Sequence, residues 1–395
     1  MIQIAILGYG TVGSGVYEII KNNQASIAMR AGDTVAVSHI LDIRDFDDHP
    51  EKHLFTKRFE DIIEDDSVSV MVEVMGGVEP AYSFTKAALM KGKNVVTSNK
   101  ELVASHGTEL LALAKENHVN YLFEASVGGG IPIIRPMNQC LTANNIQAVY
   151  GILNGTTNYI LTKMFEEGVD FASALSEAQE LGYAERNPAA DVEGHDACRK
   201  TAILASLATG KFVDYNNIST EGITKITKTD VQMAEKIGYV IKLIGAAEID
   251  QNGKVSALVA PRLVPKTSQL SGVRDVFNAI MLRGDSLGDV MFYGRGAGKL
   301  PTASAVCADI IDAVKHLHTN KWVIWSAAEE NNMLAQGQQV YRYFVRTTDA
   351  SLMDMFSGAT TVGEENGETV FVTDAMKEED FLNLAENKCN FIRIL

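Results

Sequence analysis

Residues 1–20 read MIQIAILGYGTVGSGVYEII, and the junction at GYGTVG decides how the first third of the chain folds. IQIAILG (2–8) is an apolar run without polar alternation, as expected of a strand covered on both faces. Gly8, Gly10 and Gly13 then open a segment, SGVYEIIKNN, whose apolar residues recur at helical spacing. In such a junction the first glycine permits a tight turn and the second lets backbone approach a pyrophosphate. The third lets helix and strand pack closely. The helix start adds free N–H groups and the positive end of its dipole. G-x-G-x-x-G alone is weak; placed between a clean strand and a helix, it reads as a dinucleotide site. A glycine-rich turn without a ligand is the plainer alternative.

Outward from this junction the same rhythm continues. TVAVSHIL (34–41), VSVMVEVM (68–75), NVVTS (94–98) and NYLFEAS (120–126) read as strands, with YSFTKAALMKG and HGTELLALAKENH as helices between them. Apolar strands alternating with helices give an α/β, doubly wound parallel sheet. This dinucleotide-binding domain covers 1–135 and is completed by the helix of 301–320. There PTASAVCADIIDAVKHLH (301–318) is strongly amphipathic, with Pro301 at the N1 position. From residue 136 the pattern changes to strand, helix, helix and then β-rich runs such as KVSALVAPRLVP (254–265), an α+β second domain over 136–300. AAEENNMLAQGQQ is polar enough for a linker. The segment 340–395 carries short strands and helices of its own, with EENGE (364–368) as a hairpin turn.

Composition narrows the function. The 395 residues are 46% hydrophobic and 22% charged, an ordinary soluble mixture with room for two or three cores. A formal net charge of −15 repels a phosphate backbone, so no nucleic-acid partner is expected. No stretch approaches the roughly 20 apolar residues that span a bilayer, so no membrane partner is expected either. The opening residues lack the basic region and cleavage site of a signal peptide, and a cytoplasmic protein starting at this strand is expected. Four scattered cysteines without a C-x-x-C pair fit a reducing compartment. His49 and His53 in HPEKH lie four apart but lack further ligands, so no zinc site is expected there.

Three further stretches bear on chemistry. TSNKELVA (97–104) puts Lys100 just past the carboxyl end of a strand, where open parallel sheets bind ligands; a surface charge is the alternative. EASVGGGIPII (124–134) offers Glu124 and exposed carbonyls that suit a hard cation, although an interdomain turn explains it equally well. GYAERNPAADVEGHDACRK (182–200) gathers Glu185, Asp191, Glu193 and Asp196 around Lys200.

GHDACRKTAILASLATG (194–210) reads as one helix ended by Gly210, with Asp196 and Lys200 four apart on one face. A surface pair of that kind is worth only about 0.3–0.5 kcal/mol. The apolar continuation instead sends this helix into a core, so its first turns line a cleft. Gly182, Pro188 and Gly194 bend the preceding loop so that Glu185 and Asp191 reach the same cleft. Gathered carboxylates suit an ammonium group, and the lysine suits proton delivery to an oxygen. His195, on another face, reads as structural.

GYGTVG, SNKELVA, EASVGGGIP, GILNGTTNYIL, LGYAERNPAADVEGHDACRK and GRGAGKLPTASAV occur in the order seen in homoserine dehydrogenases, a resemblance covering roughly residues 1–320. It implies interconversion of L-aspartate 4-semialdehyde and L-homoserine with NADP or NAD, in threonine, methionine and isoleucine biosynthesis. By resemblance Lys200 is the general acid/base and Lys100 a second catalytic-site lysine, close to nicotinamide and substrate. Glu185 and Asp196 hold the substrate's amino end, with Asp191 in support. Gly8, Gly10, Thr11, Val12, Gly13, Ser98, Gly182 and Gly298 resemble cofactor contacts. Glu124, with the carbonyls of Val127, Gly129 and Ile131, resembles a monovalent cation site, expected to take sodium. A homodimer or homotetramer is implied, assembled through the second domain.

The ribose pocket stays open between two residues of HILDIRD. Asp42 favours the free 2′-hydroxyl of NAD, and Arg44 the 2′-phosphate of NADP. Arg44, resembling a basic residue of NADP-using members, is expected to swing to the phosphate while Asp42 aims elsewhere, giving a moderate NADP preference. The tail departs from the family: YRYFVRTTDASLMDMFSGATTV keeps the first strand of an ACT-type regulatory domain but not its PGV-like loop, so a reduced ACT-like module is expected. Two other functions compete. An aldehyde-oxidising dehydrogenase needs a thiolate, and Cys198 lies in the right helix, but the glycine-rich turn holds Ser126 and no cysteine. A non-catalytic dinucleotide sensor has no need of Glu185, Asp196 and Lys200 together.

Overall fold

The computed structural model describes residues 1–329 and 331–395; Glu330, inside the expected linker, lies outside the described residues. Two compact units form. One comprises Met1–Ala143, Ser206–Asp214 and Gly294–Ala328, the other Asn144–Ala205, Tyr215–Tyr293 and Glu329–Leu395.

The first unit begins β1 (Ile2–Leu7), α1 (Thr11–Asn22), α2 (Gln24–Ala31), β2 (Val35–Leu41), β3 (Phe55–Thr56), α3 (Glu60–Ile63), β4 (Val68–Glu73), α4 (Ala81–Met90), β5 (Asn94–Thr97), α5 (Lys100–Glu116) and β6 (Tyr121–Leu122). Its strands are parallel in the order β3-β2-β1-β4-β5-β6. The chain reverses its direction of travel at β1, and the crevice outside the carboxyl ends there is where such sheets bind ligands. Ile4, Ile6, Val70, Val72 and Val96 are fully buried, which is why these strands read as unbroken apolar runs. Helix α2 escaped the sequence reading because its eight residues bury only Ile27 and Ala31. The strand expected over 120–126 is shorter, since residues Glu124–Ser126 turn as a 3₁₀ helix.

The second unit holds β7 (Ile146–Ile152), α6 (Gly155–Glu166), α7 (Phe171–Glu180), α8 (Ala189–Val192), α9 (His195–Thr209), β8 (Ser219–Thr220), α10 (Lys228–Lys236), β9 (Tyr239–Ile249), β10 (Val255–Pro265), β11 (Phe277–Gly284) and β12 (Gly288–Arg295). Helix α11 (Lys299–Lys315) then returns to the first unit, where Val306 and Ile310 join Val16 and Ile20 in one core. It starts after Gly298, so Pro301 is the third helical residue rather than N1. The missing N–H of Pro301 is harmless at either position, because no N–H in the first turn has an intrahelical partner.

The tail forms β13 (Val340–Tyr341), β14 (Tyr343–Thr347), β15 (Thr360–Glu365), β16 (Glu368–Val372), β17 (Met376–Lys377), α12 (Glu378–Ala385) and β18 (Asn390–Ile394). The hairpin turn at Asn366 and Gly367 is present, both residues at positive φ. The tail's strands extend the second unit's sheet, in the order β12-β11-β7-β9-β10-β18-β14-β16-β15. Leu258 and Ala260 of β10 share a core with Tyr343, Phe371 and Phe381, so the tail has no separate apolar interior.

Candidate active site

At the crevice of the first unit the glycine turn is as tight as the pattern requires. Gly8 has φ +98°, and a Cβ built on Gly13 would lie 1.9 Å from the Gly8 carbonyl oxygen, so only glycine lets α1 start there. A Cβ on Gly10 would meet nothing within 4 Å, so the backbone is open on that side. No side chain caps α1, which leaves its first N–H groups, at Thr11, Val12 and Gly13, for an anion. The residues present fit a dinucleotide pyrophosphate. Gly298, at φ +123°, precedes α11, and Gly182, at φ +74°, lies in the exposed loop after α7.

On the ribose side Asp42 and Arg44 are paired. Asp42 is aimed at the turn itself, accepting from the Tyr9 N–H at 2.8 Å. Arg44 is folded onto it rather than free: Nε and Nη2 each donate to a carboxylate oxygen at 2.9 Å, and Nη2 also reaches the Tyr9 carbonyl. The Arg44 guanidinium, with backbone donors behind it, holds the Asp42 carboxyl well below the usual range. The Tyr9 ring packs against Tyr17, Phe46 and Phe55, and its hydroxyl is 3.2 Å from His49 Nε2.

Lys100 is not in a loop but opens α5, directly after the cap residue Asn99. Asn99 accepts from the Leu102 N–H and donates to the Gly77 carbonyl at 2.6 Å. Glu73 ties the same two loops together: it accepts from the Met75 N–H at 2.9 Å and from the Thr97 hydroxyl at 2.6 Å. Burial pushes its carboxyl up, against those hydrogen bonds. Sequence reasoning missed Glu73, which looks like an ordinary member of a strand; its one signal was a charge inside an otherwise uncharged run. Ser98 is half-buried between them.

Glu124 is buried. Its carboxylate is taken by three backbone donors, Ile133 and Ile134 at 2.6 and 2.8 Å and Arg135 at 2.7 Å. A monovalent cation at this turn would rest chiefly on carbonyl oxygens. Those of Val127, Gly129 and Ile131 belong to buried residues and accept no hydrogen bond from a backbone donor among the described residues, so they fit that role. Nearby Asp309 accepts from the Glu124 N–H and from Arg135, and burial raises its carboxyl to about 7. Among the described residues no group of three or more His, Cys, Asp or Glu side chains is placed to hold a metal ion.

In the second unit the opening of α9 holds the acidic cluster. Lys200 Nζ donates to Asp196 Oδ2 and to the Leu153 carbonyl, both at 2.8 Å. Both side chains are buried, so this is no surface pair. Asn154 joins the group: its Nδ2 donates to Asp191 Oδ1 at 2.7 Å and Asp196 Oδ2 at 3.0 Å, while its Oδ1 caps α6 through the Thr157 N–H. Sequence reasoning missed Asn154, although N-G-T-T before an apolar helix is a cap signal. Of the four acids read as gathering on Lys200, Asp196 bonds it directly and Asp191 joins the group through Asn154. Glu193 turns outward to His195 at 3.2 Å, and Glu185 is exposed, its carbonyl accepting from Gln179. Cys198 is buried and its thiol donates to the Tyr215 carbonyl.

A doubly wound parallel sheet with an open glycine turn at its switch point defines a dinucleotide-binding enzyme. Residues 8–124 match the family model described as "Homoserine dehydrogenase, NAD binding domain", and residues 132–311 the one described as "Homoserine dehydrogenase". A homoserine dehydrogenase of Bacillus subtilis is 39% identical, the match covering 98% of this chain and 94% of that one. The crystal structure of a homoserine dehydrogenase from Thiobacillus denitrificans superposes with a TM-score of 0.91 at 33% identity, covering 100% and 98%. A hyperthermophilic archaeal homoserine dehydrogenase in complex with NADPH gives 0.67 at 31% identity, over 79% of this chain and 97% of its own. The chain belongs to the homoserine dehydrogenase family, oxidoreductases that act on the CH–OH group of homoserine with a nicotinamide dinucleotide. Among the described residues no helix is long and apolar enough to cross a membrane.

Proposed function

We propose that this chain interconverts L-aspartate 4-semialdehyde and L-homoserine with Lys200 as general acid and base. The observation that carries the reading is the bonded Asp191–Asn154–Asp196–Lys200 group at the start of α9, buried but for a half-buried Asp191. The substrate is a zwitterion with an aldehyde at its far end. Asp196 and Asp191 offer carboxylates to its ammonium, and Glu185, exposed on the preceding loop, closes on it from outside. The nicotinamide supplies the hydride. Lys200 stabilises the oxygen that becomes negative and gives it a proton; in the reverse direction it takes the hydroxyl proton. Lys100, fixed at the first turn of α5 by the Asn99 cap, serves as the second lysine.

The glycine turn holds the pyrophosphate. Arg44 reaches a 2′-phosphate only by leaving Asp42, so both cofactors are accepted and NADP is preferred weakly. A monovalent cation, sodium in this reading, is held by the carbonyls of Val127, Gly129 and Ile131 and staples the turn that Glu124 organises from its other side. The enzyme works as a homodimer or homotetramer in the cytoplasm, supplying threonine, methionine and isoleucine synthesis. A thiol mechanism is disfavoured, because Cys198 lies two residues from both Asp196 and Lys200, off the face those two share. Initial rates of homoserine oxidation with NADP and NAD side by side test the reading. Turnover with both supports it, no turnover with either refutes it, and strong selectivity for NAD makes Asp42 the selector.

A further inference from the structure

We propose that Arg393, on β18, is a positioning residue for the substrate group, acting through Glu221. The inference rests on the assignment of Asp191, Asp196 and Lys200 as the substrate site. β8 and β18 lie along the same edge of β10: Ser219 and Thr220 pair with Leu258 and Val259, and Arg393 and Ile394 with Arg262 and Leu263. Glu221 leaves β8 with its N–H bonded to the Val259 carbonyl at 2.7 Å. Arg393 is 2% exposed, and its guanidinium serves two carboxylates at once. Nε and Nη2 hold Glu378 of α12, both at 2.8 Å; Nη1 and Nη2 hold Glu221 at 3.0 and 2.8 Å.

The Glu378 half of this arrangement fastens the tail to itself. The Glu221 half has another consequence, because the residues beside Glu221 are pressed on the substrate turn. A Cβ on Gly222 would lie 2.2 Å from the Val192 carbonyl oxygen and 2.6 Å from Glu193 Cα. The Ile223 N–H donates to that same Val192 carbonyl at 2.8 Å, and a Cβ on Gly194 would lie 3.1 Å from Thr220 Cγ2. Val192–Gly194 is the turn that joins α8, which carries Asp191, to α9, which carries Asp196 and Lys200. Backbone packed this closely transmits displacement rather than absorbing it. A fork of fixed geometry on Glu221 therefore fixes the relative position of Asp191 and Asp196, the two carboxylates that Asn154 bridges. A lysine at 393 keeps the charge but not the fork.

The decisive variant is Glu221→Gln, because it leaves the buried Arg393–Glu378 pair intact. Removing Arg393 outright strands Glu378 in the core and risks unfolding. The expected result is a rise in KM for homoserine of roughly 3- to 10-fold, as for coupled neighbours. The Kd for NADPH and the melting temperature stay close to wild type. Arg393→Lys should raise KM similarly. The double variant should be little worse than either single one, since both break the same contact. An unchanged homoserine KM in Glu221→Gln, with or without a shift in melting temperature, overturns the proposal and leaves a structural ion pair. Fully additive effects overturn it as well. Lys200→Ala, measured in parallel, separates the two claims. If it keeps its turnover, the site assignment itself fails. If it loses turnover while Glu221→Gln keeps a wild-type KM, only the role of Arg393 falls.

Discussion

The dinucleotide edge and the substrate group are built from opposite materials. The first is backbone: a turn of three glycines, an uncapped helix start, and an arginine whose side chain is 57% exposed. The second is side chain: Lys200 and Asp196, 10% and 7% exposed, with Asn154 between Asp196 and Asp191. A site made of N–H groups tolerates changes in the side chains around it but not an added Cβ. A site made of buried, mutually bonded side chains has the reverse tolerance, because each partner removed leaves another unpaired.

Gly13→Val attacks the backbone site where it is tightest, 1.9 Å from the Gly8 carbonyl. Overpacking of this kind costs up to about 3 kcal/mol, so NADPH affinity should fall about 100-fold in a fluorescence titration. Wild-type affinity would break the contrast. A second buried lysine sharpens it from the other side. Lys242 in β9 donates to Asn158 Oδ1 and the Val273 carbonyl, with no salt-bridged carboxylate among the described residues; burial lowers its amine to about 8. Between pH 8 and 10.5 the unfolded chain binds the extra proton, so stability rises with pH across that window; below pH 8 the full penalty is present. Relative to Lys242→Met, the wild type should gain roughly 3 kcal/mol from pH 8 to 10.5 in denaturant titrations. A flat difference would mean that Lys242 keeps its ordinary value.

Asn154 divides cap from site. Asn154→Ala should cost about 1 kcal/mol in stability through the lost cap, together with a higher KM for homoserine. Asn154→Asp keeps a capping oxygen but adds a third acid beside Asp191 and Asp196, so it should impair KM more than stability. Equal losses in both variants would make Asn154 a cap and nothing else. The smallest effect belongs to Arg44→Ala: a few-fold loss in kcat/KM with NADP and almost none with NAD. A comparable loss with NAD would show that Arg44 works by holding Asp42 under the turn.

The same contrast explains what the sequence disclosed. GYGTVG, the apolar strand before it and the helix closed by Gly210 are local patterns, and each is found where it was read. Asp196 and Lys200 are a local pair too, four apart on one helix. What was not legible depends on long-range partners. Nothing in HILDIRD says that Asp42 will cap the Tyr9 N–H and recruit Arg44. Nothing in EASVGGG says that Glu124 will be claimed by residues 133–135. Asn154 lies 37 residues from Asp191, and the bond between them is set by the sheet and helix that carry them. The tail looked independent because its strands are short and alternate well, whereas the pairing of Arg393 with β10 is decided by the whole sheet.

The central claim is that the lysine of this buried group moves the proton, and turnover of Lys200→Ala under saturating homoserine and NADP tests it most directly. General acid–base groups contribute about 10² to 10⁴ in rate, so kcat should fall by that factor while NADPH affinity stays near wild type. A variant that kept more than about a third of wild-type turnover, where a loss of at least 10² is expected, would contradict the account.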